Sequence, residues 1–154
     1  MKLFSCECCN QPLFFENTRC ESCDHAVGYL HEVTDLTALE PGMQEGTWLP
    51  LEHGYEHSPH RYCANHSYNA CNWLLGPEES AGGTLCFACQ FNRTIPDLQN
   101  TRNLERWRKI ETAKHRLFHA LIRFGLPLVS RQKDPENGLA FDFLEDAPDG
   151  SALS

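Results

Sequence analysis

The stretch Cys63-Ala64-Asn65-His66, Cys71-Asn72-Trp73, Cys86-Phe87-Ala88-Cys89 gathers four cysteines and runs on into Asn92-Arg93-Thr94-Ile95-Pro96-Asp97. A Cys-x-x-Cys turn presents two thiolates to one ion from a single tight loop, and zinc–sulfur bonds of about 2.3 Å demand that convergence. Cys86 and Cys89 have this spacing, whereas seven residues separate Cys63 from Cys71. His66 stands at Cys-x-x-His spacing from Cys63 and is a rival fourth ligand. The reading adopted is Cys71, with His66 as the alternative.

Working outward, the first residues repeat the theme. Cys6-x-x-Cys9 and Cys20-x-x-Cys23 flank ten residues that include the apolar run Leu13-Phe14-Phe15. Two metal knuckles at the tips of adjoining hairpins, with a strand between them, make a zinc-ribbon layout. Of nine cysteines, Cys8 is left over; Cys6-x-Cys8 is too tight for a knuckle, so Cys8 reads as a free, exposed thiol. Met1-Lys2-Leu3-Phe4-Ser5-Cys6 lacks the apolar segment of a signal peptide, which points to the cytoplasm, where thiols stay reduced. Nine cysteines there argue for metal over disulfides. Two structural Zn2+ ions follow, each closed by four protein ligands. A ribbon this small buries little apolar surface, and structural zinc contributes ~10–16 kcal/mol in small peptides.

The chain of 154 residues has a formal charge of −8 that hides a segregation. Residues 1–92 carry 12 acidic and 3 basic side chains (−9), residues 93–133 carry 3 and 10 (+7), and residues 134–154 carry 6 and none (−6). An acidic metal-binding part beside a basic helical segment suggests that the two pack together. No apolar run approaches the ~20 residues needed to span a membrane.

Val27-Gly28-Tyr29-Leu30 reads as a strand and Leu36 to Leu39 as its return. His31-Glu32-x-x-Asp35 is a near miss to His-Glu-x-x-His, which needs two histidines one helical turn apart; Val33 and Thr34 disfavour a helix, and the match reads as chance. Residues 43–62 read as an irregular connection in which His53, His57 and His60 are exposed loop side chains. Gathered on a metal, those three would offer a catalytic alternative. Asn100-Thr101-Arg102-Asn103 caps one long helix over residues ~103–124, some 33 Å long. Its apolar face reads as Leu104, Trp107, Ile110, Ala113, Leu117, Leu121 and Phe124, and Gly125-Leu126-Pro127 stops it. Trp107, Ile110, Leu117 and Leu121 are expected against the zinc-binding part. Arg106, Arg108, Lys109, Lys114, Arg116 and Arg123 take the other side, as a solvated face. His115 and His119 have ligand spacing without an evident third partner. Leu139-Ala140-Phe141-Asp142-Phe143-Leu144 is a candidate strand before an acidic end.

Together these residues resemble a bacterial family of zinc-binding metallopeptidases that begin with a zinc ribbon. The resemblance rests on the Cys6/Cys9 and Cys20/Cys23 pairs around Leu13-Phe14-Phe15-Glu16-Asn17, on Gly28-Tyr29, Arg61-Tyr62-Cys63-Ala64-Asn65 and Cys71-Asn72-Trp73. It continues through Cys86-x-x-Cys89, Asn92-Arg93-Thr94-Ile95-Pro96-Asp97-Leu98, Asn103-Leu104-x-x-Trp107, Glu111-x-Ala113-Lys114, Gly125-Leu126-Pro127 and Leu139-Ala140-Phe141-Asp142-Phe143-Leu144. Members carry a His-Glu-x-x-His helix further along. The pattern does not occur within residues 1–154, so the resemblance places no catalytic residue here.

The expected fold is small α+β: zinc-ribbon β-hairpins with two four-cysteine zinc sites, packed on one long amphipathic α-helix. The expected domains are a ribbon (1–42), a second zinc-binding module with irregular loops (43–99), the helix and its exit (100–133), and an acidic tail with a short strand (134–154). The leading function is a non-catalytic structural zinc module that supports a metallopeptidase domain or docks a protein partner. The alternatives are a metal-dependent hydrolase and a nucleic-acid-binding zinc ribbon using the basic helix.

Overall fold

The computed structural model describes residues 3–145; the last part of the expected acidic tail lies outside them. The chain divides into two compact units, Met1–Phe87 and Ala88–Ser154, each taken by itself below.

The first unit begins with a two-stranded ribbon, β1 (Phe4–Ser5) against β2 (Pro12–Leu13). The expected Leu13-Phe14-Phe15 strand is shorter than its apolar run. Phe14 is 73% exposed while Phe15 is buried, because the chain turns there, with Asn17 N–H donating to the Phe14 carbonyl. An antiparallel sheet follows in the order β3 (Ala26–Leu30), β4 (Asp35–Pro41), β5 (Trp48–Pro50). β3 and β4 confirm the two apolar runs. β5 and a further short pair, β6 (Arg61–Tyr62) with β7 (Leu74–Leu75), lie at least partly in the segment read as irregular. The short helix α1 (Pro77–Gly82) comes next.

Aromatic rings carry the core of this unit. Phe4, Phe15, Tyr29 and Trp73 follow one another at centroid separations of 6.0, 5.1 and 4.4 Å. Tyr29 N–H donates to the Asn72 carbonyl, and Asn72 Nδ2 donates to the Phe15 and Asn17 carbonyls at 2.7 and 3.0 Å. Asn72 thereby ties the ribbon, the sheet and the central cysteine stretch together. Gly28 allows this packing: a Cβ there would stand 2.7 Å from the branched end of Leu74.

The second unit is built on α2 (Thr101–Arg123). Asn100 caps it by accepting from Arg102 N–H at 3.0 Å, which satisfies one donor left open at a helix start. At the other end Gly125 takes φ 66°. Gly125 N–H reaches the Ile122 carbonyl and Leu126 N–H the Leu121 carbonyl, a Schellman termination. Both ends agree with the sequence reading. The strand expected over 139–144 is β9 (Phe141–Asp142), parallel to β8 (Asn92–Thr94).

The buried face of α2 differs from the apolar stripe. Asn103, Trp107, Glu111, Lys114, His115 and Phe118 are buried, while Ile110 and Leu117 are each 46% exposed. Phe118 packs edge-on to Phe91 at 4.8 Å and lies 6.0 Å from Phe141. Lys114, expected on the solvated face, is 2% exposed and pairs with Glu111 at 2.9 Å. Its Nζ lies 5.9 Å from the ring centres of both Phe141 and Phe143. A buried charge survives only when paired and hydrogen-bonded; Asn92 completes this pair, its Nδ2 donating to Glu111 Oε1 at 2.9 Å and its Oδ1 accepting from Lys114.

Candidate metal centres

In the first quartet the two knuckles are built alike. Asn10 follows Cys9 at φ 61°, and Asp24 follows Cys23 at φ 66°. Asn and Asp are the non-glycine residues that best tolerate this left-handed conformation. Asn10 N–H donates to the Cys6 carbonyl at 2.8 Å and Asp24 N–H to the Cys20 carbonyl at 3.0 Å. Cys6 N–H and Cys20 N–H close each loop on Gln11 and His25, both at 2.9 Å. The two loops present their thiols to each other, Cys6 Sγ lying 3.6 Å from Cys23 Sγ and Cys9 Sγ 3.5 Å from Cys20 Sγ. A tetrahedron of zinc–sulfur bonds has sulfur–sulfur edges of about 3.8 Å, so the spacing suits one zinc and is far too long for a disulfide.

The thiols themselves call for a cation. The backbone N–H of Gln11, with hydrogen bonds from the Cys23 and Cys20 thiols, lowers Cys9 to about 7. Against the backbone N–H of His25, desolvation and the neighbouring Cys9, Cys20 and Cys6 push Cys23 up to about 12. Cys9 and Cys23 are thus shifted in opposite directions, and a divalent ion bound among the four sulfurs would favour the thiolate at each. Cys8 is exposed and stands outside the group.

The second quartet explains its seven-residue spacer. After Cys63 the chain makes a 3-10 helix, Ala64–Tyr68, which ends on Asn69 in the left-handed conformation at φ 53°. That reversal returns Cys71 to Cys63. Cys71 Sγ lies 3.7 Å from Cys86 Sγ, and one ligand atom from each of Cys63, Cys71, Cys86 and Cys89 falls within 4.8 Å of the others. Cys86 and Cys89 stand in one Cys-x-x-Cys loop, which supplies the third and fourth sulfurs. All four cysteines are buried. Trp73 N–H points at Cys71 Sγ and Cys86 N–H at Cys63 Sγ, each at 3.4 Å, which favours thiolates. His66 is not in this group. Its Nδ1 sits 3.0 Å from the Cys71 carbonyl and its ring stacks on Tyr62 at 3.9 Å.

Two groupings escaped the sequence reading. His115, assigned no third partner there, has Nε2 3.5 Å from Cys89 Sγ, and Glu111 Oε2 lies 3.6 Å from the same sulfur. The near-miss motif also has a neighbour: His31 and Glu32, in the turn from β3 to β4, meet Glu79 of α1. Neither was legible because Cys89 and Glu79 come from elements other than those of the histidines they meet. The histidines 53, 57 and 60 do not gather. His53 has a side chain 98% exposed and His57 is exposed, while His60, expected in an exposed loop, is 1% exposed.

A family model described as a zinc-ribbon domain matches residues 3–100. The chain belongs to this zinc-ribbon family. In this zinc-ribbon chain, residues 103–153 match a second model, described as "Putative zinc-binding metallo-peptidase". An uncharacterized protein of Mycobacterium bovis and another of Mycobacterium tuberculosis are each 34% identical to it over 147 residues. The match covers 96% of the zinc-ribbon chain and 38% of each relative. No solved structure matches it. Among the described residues no helix is long and apolar enough to cross a membrane.

Proposed function

We propose that the eight grouped cysteines hold two structural zinc ions, and that the chain is a non-catalytic module supporting a metallopeptidase domain or docking a protein partner. Four thiolates complete each zinc and leave no position for the water that a zinc hydrolase activates. The observation that carries the docking reading is the outer face of α2. Ile110, Leu117 and Phe124 recur at seven-residue intervals and are 46%, 46% and 77% exposed. Seven-residue spacing keeps these three side chains on one helix face, and an exposed apolar row of this kind is where a partner would be expected to dock. The match of residues 103–153 to the metallopeptidase model and the greater length of the mycobacterial relatives make a peptidase domain the natural occupant.

The test joins two measurements. Zinc-loaded chain is assayed against a mixed peptide pool, with no turnover expected. It is then titrated with the remaining segment of the M. tuberculosis relative, supplied as a separate polypeptide. Binding is expected, and is expected to vanish in Leu117→Glu/Phe124→Glu with both zinc ions retained. Peptide turnover by this chain, or binding indifferent to the two substitutions, overturns the reading.

A further inference from the structure

Within the first unit lies a cavity of about 430 Å³ whose lining is unbalanced in charge. It is walled by His31, Glu32, His60, Glu78 and Glu79, with Tyr55, Ser58 and Gly76–Pro77 between them. Three carboxylates face it, and none of its described lining residues is a lysine or an arginine. Glu79 is half-buried, while Glu32 and Glu78 are exposed; a carboxylate drawn out of water calls for a partner charge or a metal.

Three of these side chains already converge. His31 Nδ1 is 3.3 Å from Glu32 Oε2, and His31 Nε2 is 3.8 Å from Glu79 Oε1. One ligand atom from each of the three falls within 4.8 Å of the others. Ligands bound to one ion at about 2.1 Å stand roughly 3.0–3.5 Å apart, which small rotamer changes of the two half-exposed glutamates supply. The imidazole between them is held flat, stacked on Phe87 at 5.0 Å and 6°.

His60 adds an independent pointer. The residue is 1% exposed, and its Nδ1 lies 2.7 Å from the Ser58 carbonyl. A carbonyl only accepts, so Nδ1 carries the proton and Nε2 is the nitrogen left to face the cavity. This is the arrangement by which a backbone carbonyl orients a metal-binding histidine. Nε2 makes no hydrogen bond among the described residues. A Cβ placed on Gly76 would stand 3.6 Å from that Nε2 and 3.8 Å from Glu32 Oε1, so glycine leaves both facing the same space. Burial raises the pKa of Glu79, and the charge of Glu32 adds to the shift, against the lowering effects of His31, Gly76 N–H and His60.

We propose that His31, Glu32 and Glu79 form a third metal site, an exchangeable one for a first-row divalent cation, with the buried His60 facing the same cavity. Imidazole and carboxylate ligands suit zinc, manganese, cobalt or nickel and disfavour soft ions such as Cu(I). Unlike the thiolate quartets, this set of three ligands would leave coordination positions open to the cavity. It is independent of the function proposed above. A third ion without peptide turnover leaves that reading standing, and its absence leaves the thiolate sites untouched.

The probe is Zn2+ itself. Purified protein is stripped of loosely held metal with a mild chelator and titrated calorimetrically, with Co2+ in a parallel optical titration. One further equivalent is expected beyond the chelator-resistant zinc, and Co2+ bound there should show ligand-field bands without thiolate-to-cobalt charge transfer. Glu32→Gln and Glu79→Gln, near-isosteric changes at half-exposed positions, should each weaken this equivalent by about tenfold or more and leave the resistant zinc unchanged. Saturation without the further equivalent, thiolate charge transfer from the added cobalt, or affinity unmoved by both substitutions overturns the proposal.

Discussion

Cys89 Sγ lies 3.5 Å from His115 Nε2, so a sulfur of the central quartet touches an imidazole from the middle of α2. Donating from Nε2, the imidazole would spread the charge that four thiolates concentrate on a shared zinc. His115→Ala should therefore keep the zinc count unchanged while weakening the second site. Partners beyond the ligands commonly contribute 10–100-fold in metal affinity, and a chelator competition of about that size is expected. Equal competition curves would show that His115 is only packing.

Metal content should follow the cysteine groups. Two chelator-resistant zinc ions per chain are expected by elemental analysis. Cys20→Ser should lose the first and Cys86→Ser the second. Cys8→Ser should lose neither, because Cys8 is exposed and stands outside both groups.

The Glu111–Lys114 pair is buried on both sides, at 0% and 2% exposure. Removing one member leaves the other charge without compensation, which costs about 3–5 kcal/mol. Glu111→Ala and Lys114→Ala should each lower the stability of the zinc-loaded protein by that amount in urea titrations. The double change Glu111→Leu/Lys114→Met should cost less than either.

Gly28→Ala should be felt at Leu74. The added methyl would sit 2.7 Å from a fully buried side chain, and overpacking of this kind costs about 1–3 kcal/mol. Combining it with Leu74→Val should recover part of the loss, measured by the same titration.

Asp142 should give the β8–β9 pair a dependence on acid. Hydrogen bonds from Arg93 first, and then from Thr94, hold its carboxyl at about 2. A depressed carboxyl stabilises the fold above its ordinary range near 4, and that contribution is lost as pH falls through about 2. Asp142→Asn should remove it already at neutral pH. Exchange of the Phe143 amide, which donates to the Thr94 carbonyl, is expected to quicken in the variant at pH 7, and unchanged exchange would show that the pair does not hold the strand.

The parts legible in sequence were those encoded within a few residues. Cysteine spacing, the Asn100 cap and the Gly125 stop are local chemistry, and the structure has each of them. The seven-residue gap before Cys71 was legible as an anomaly; its 3-10 turn was not. The buried side of α2 was misread because hydropathy assigns polar residues to water. Glu111, Lys114 and His115 are buried because Asn92 and Cys89 supply partners, and no periodicity in α2 can reveal a partner outside it. His60 is the same case: its burial depends on a carbonyl two residues away and on strands read as loop. Phe14 and Phe15 differ for a simpler reason: β2 ends at Leu13 and the chain turns at Phe15, so the apolar run does not continue as one strand.

Glu7, inside the first knuckle, accepts the Ala38 N–H through Oε2 at 2.8 Å. Its carboxylate thus occupies the place of a strand just where β5 has run out beside β4. Glu7 lies between Cys6 and Cys9, so an opening of that loop on loss of metal would withdraw its carboxylate and bare the Ala38 N–H at the sheet edge. Unpaired edges recruit other chains. Starved of zinc, this protein should first become self-associating, and light scattering should rise before the sheet itself melts.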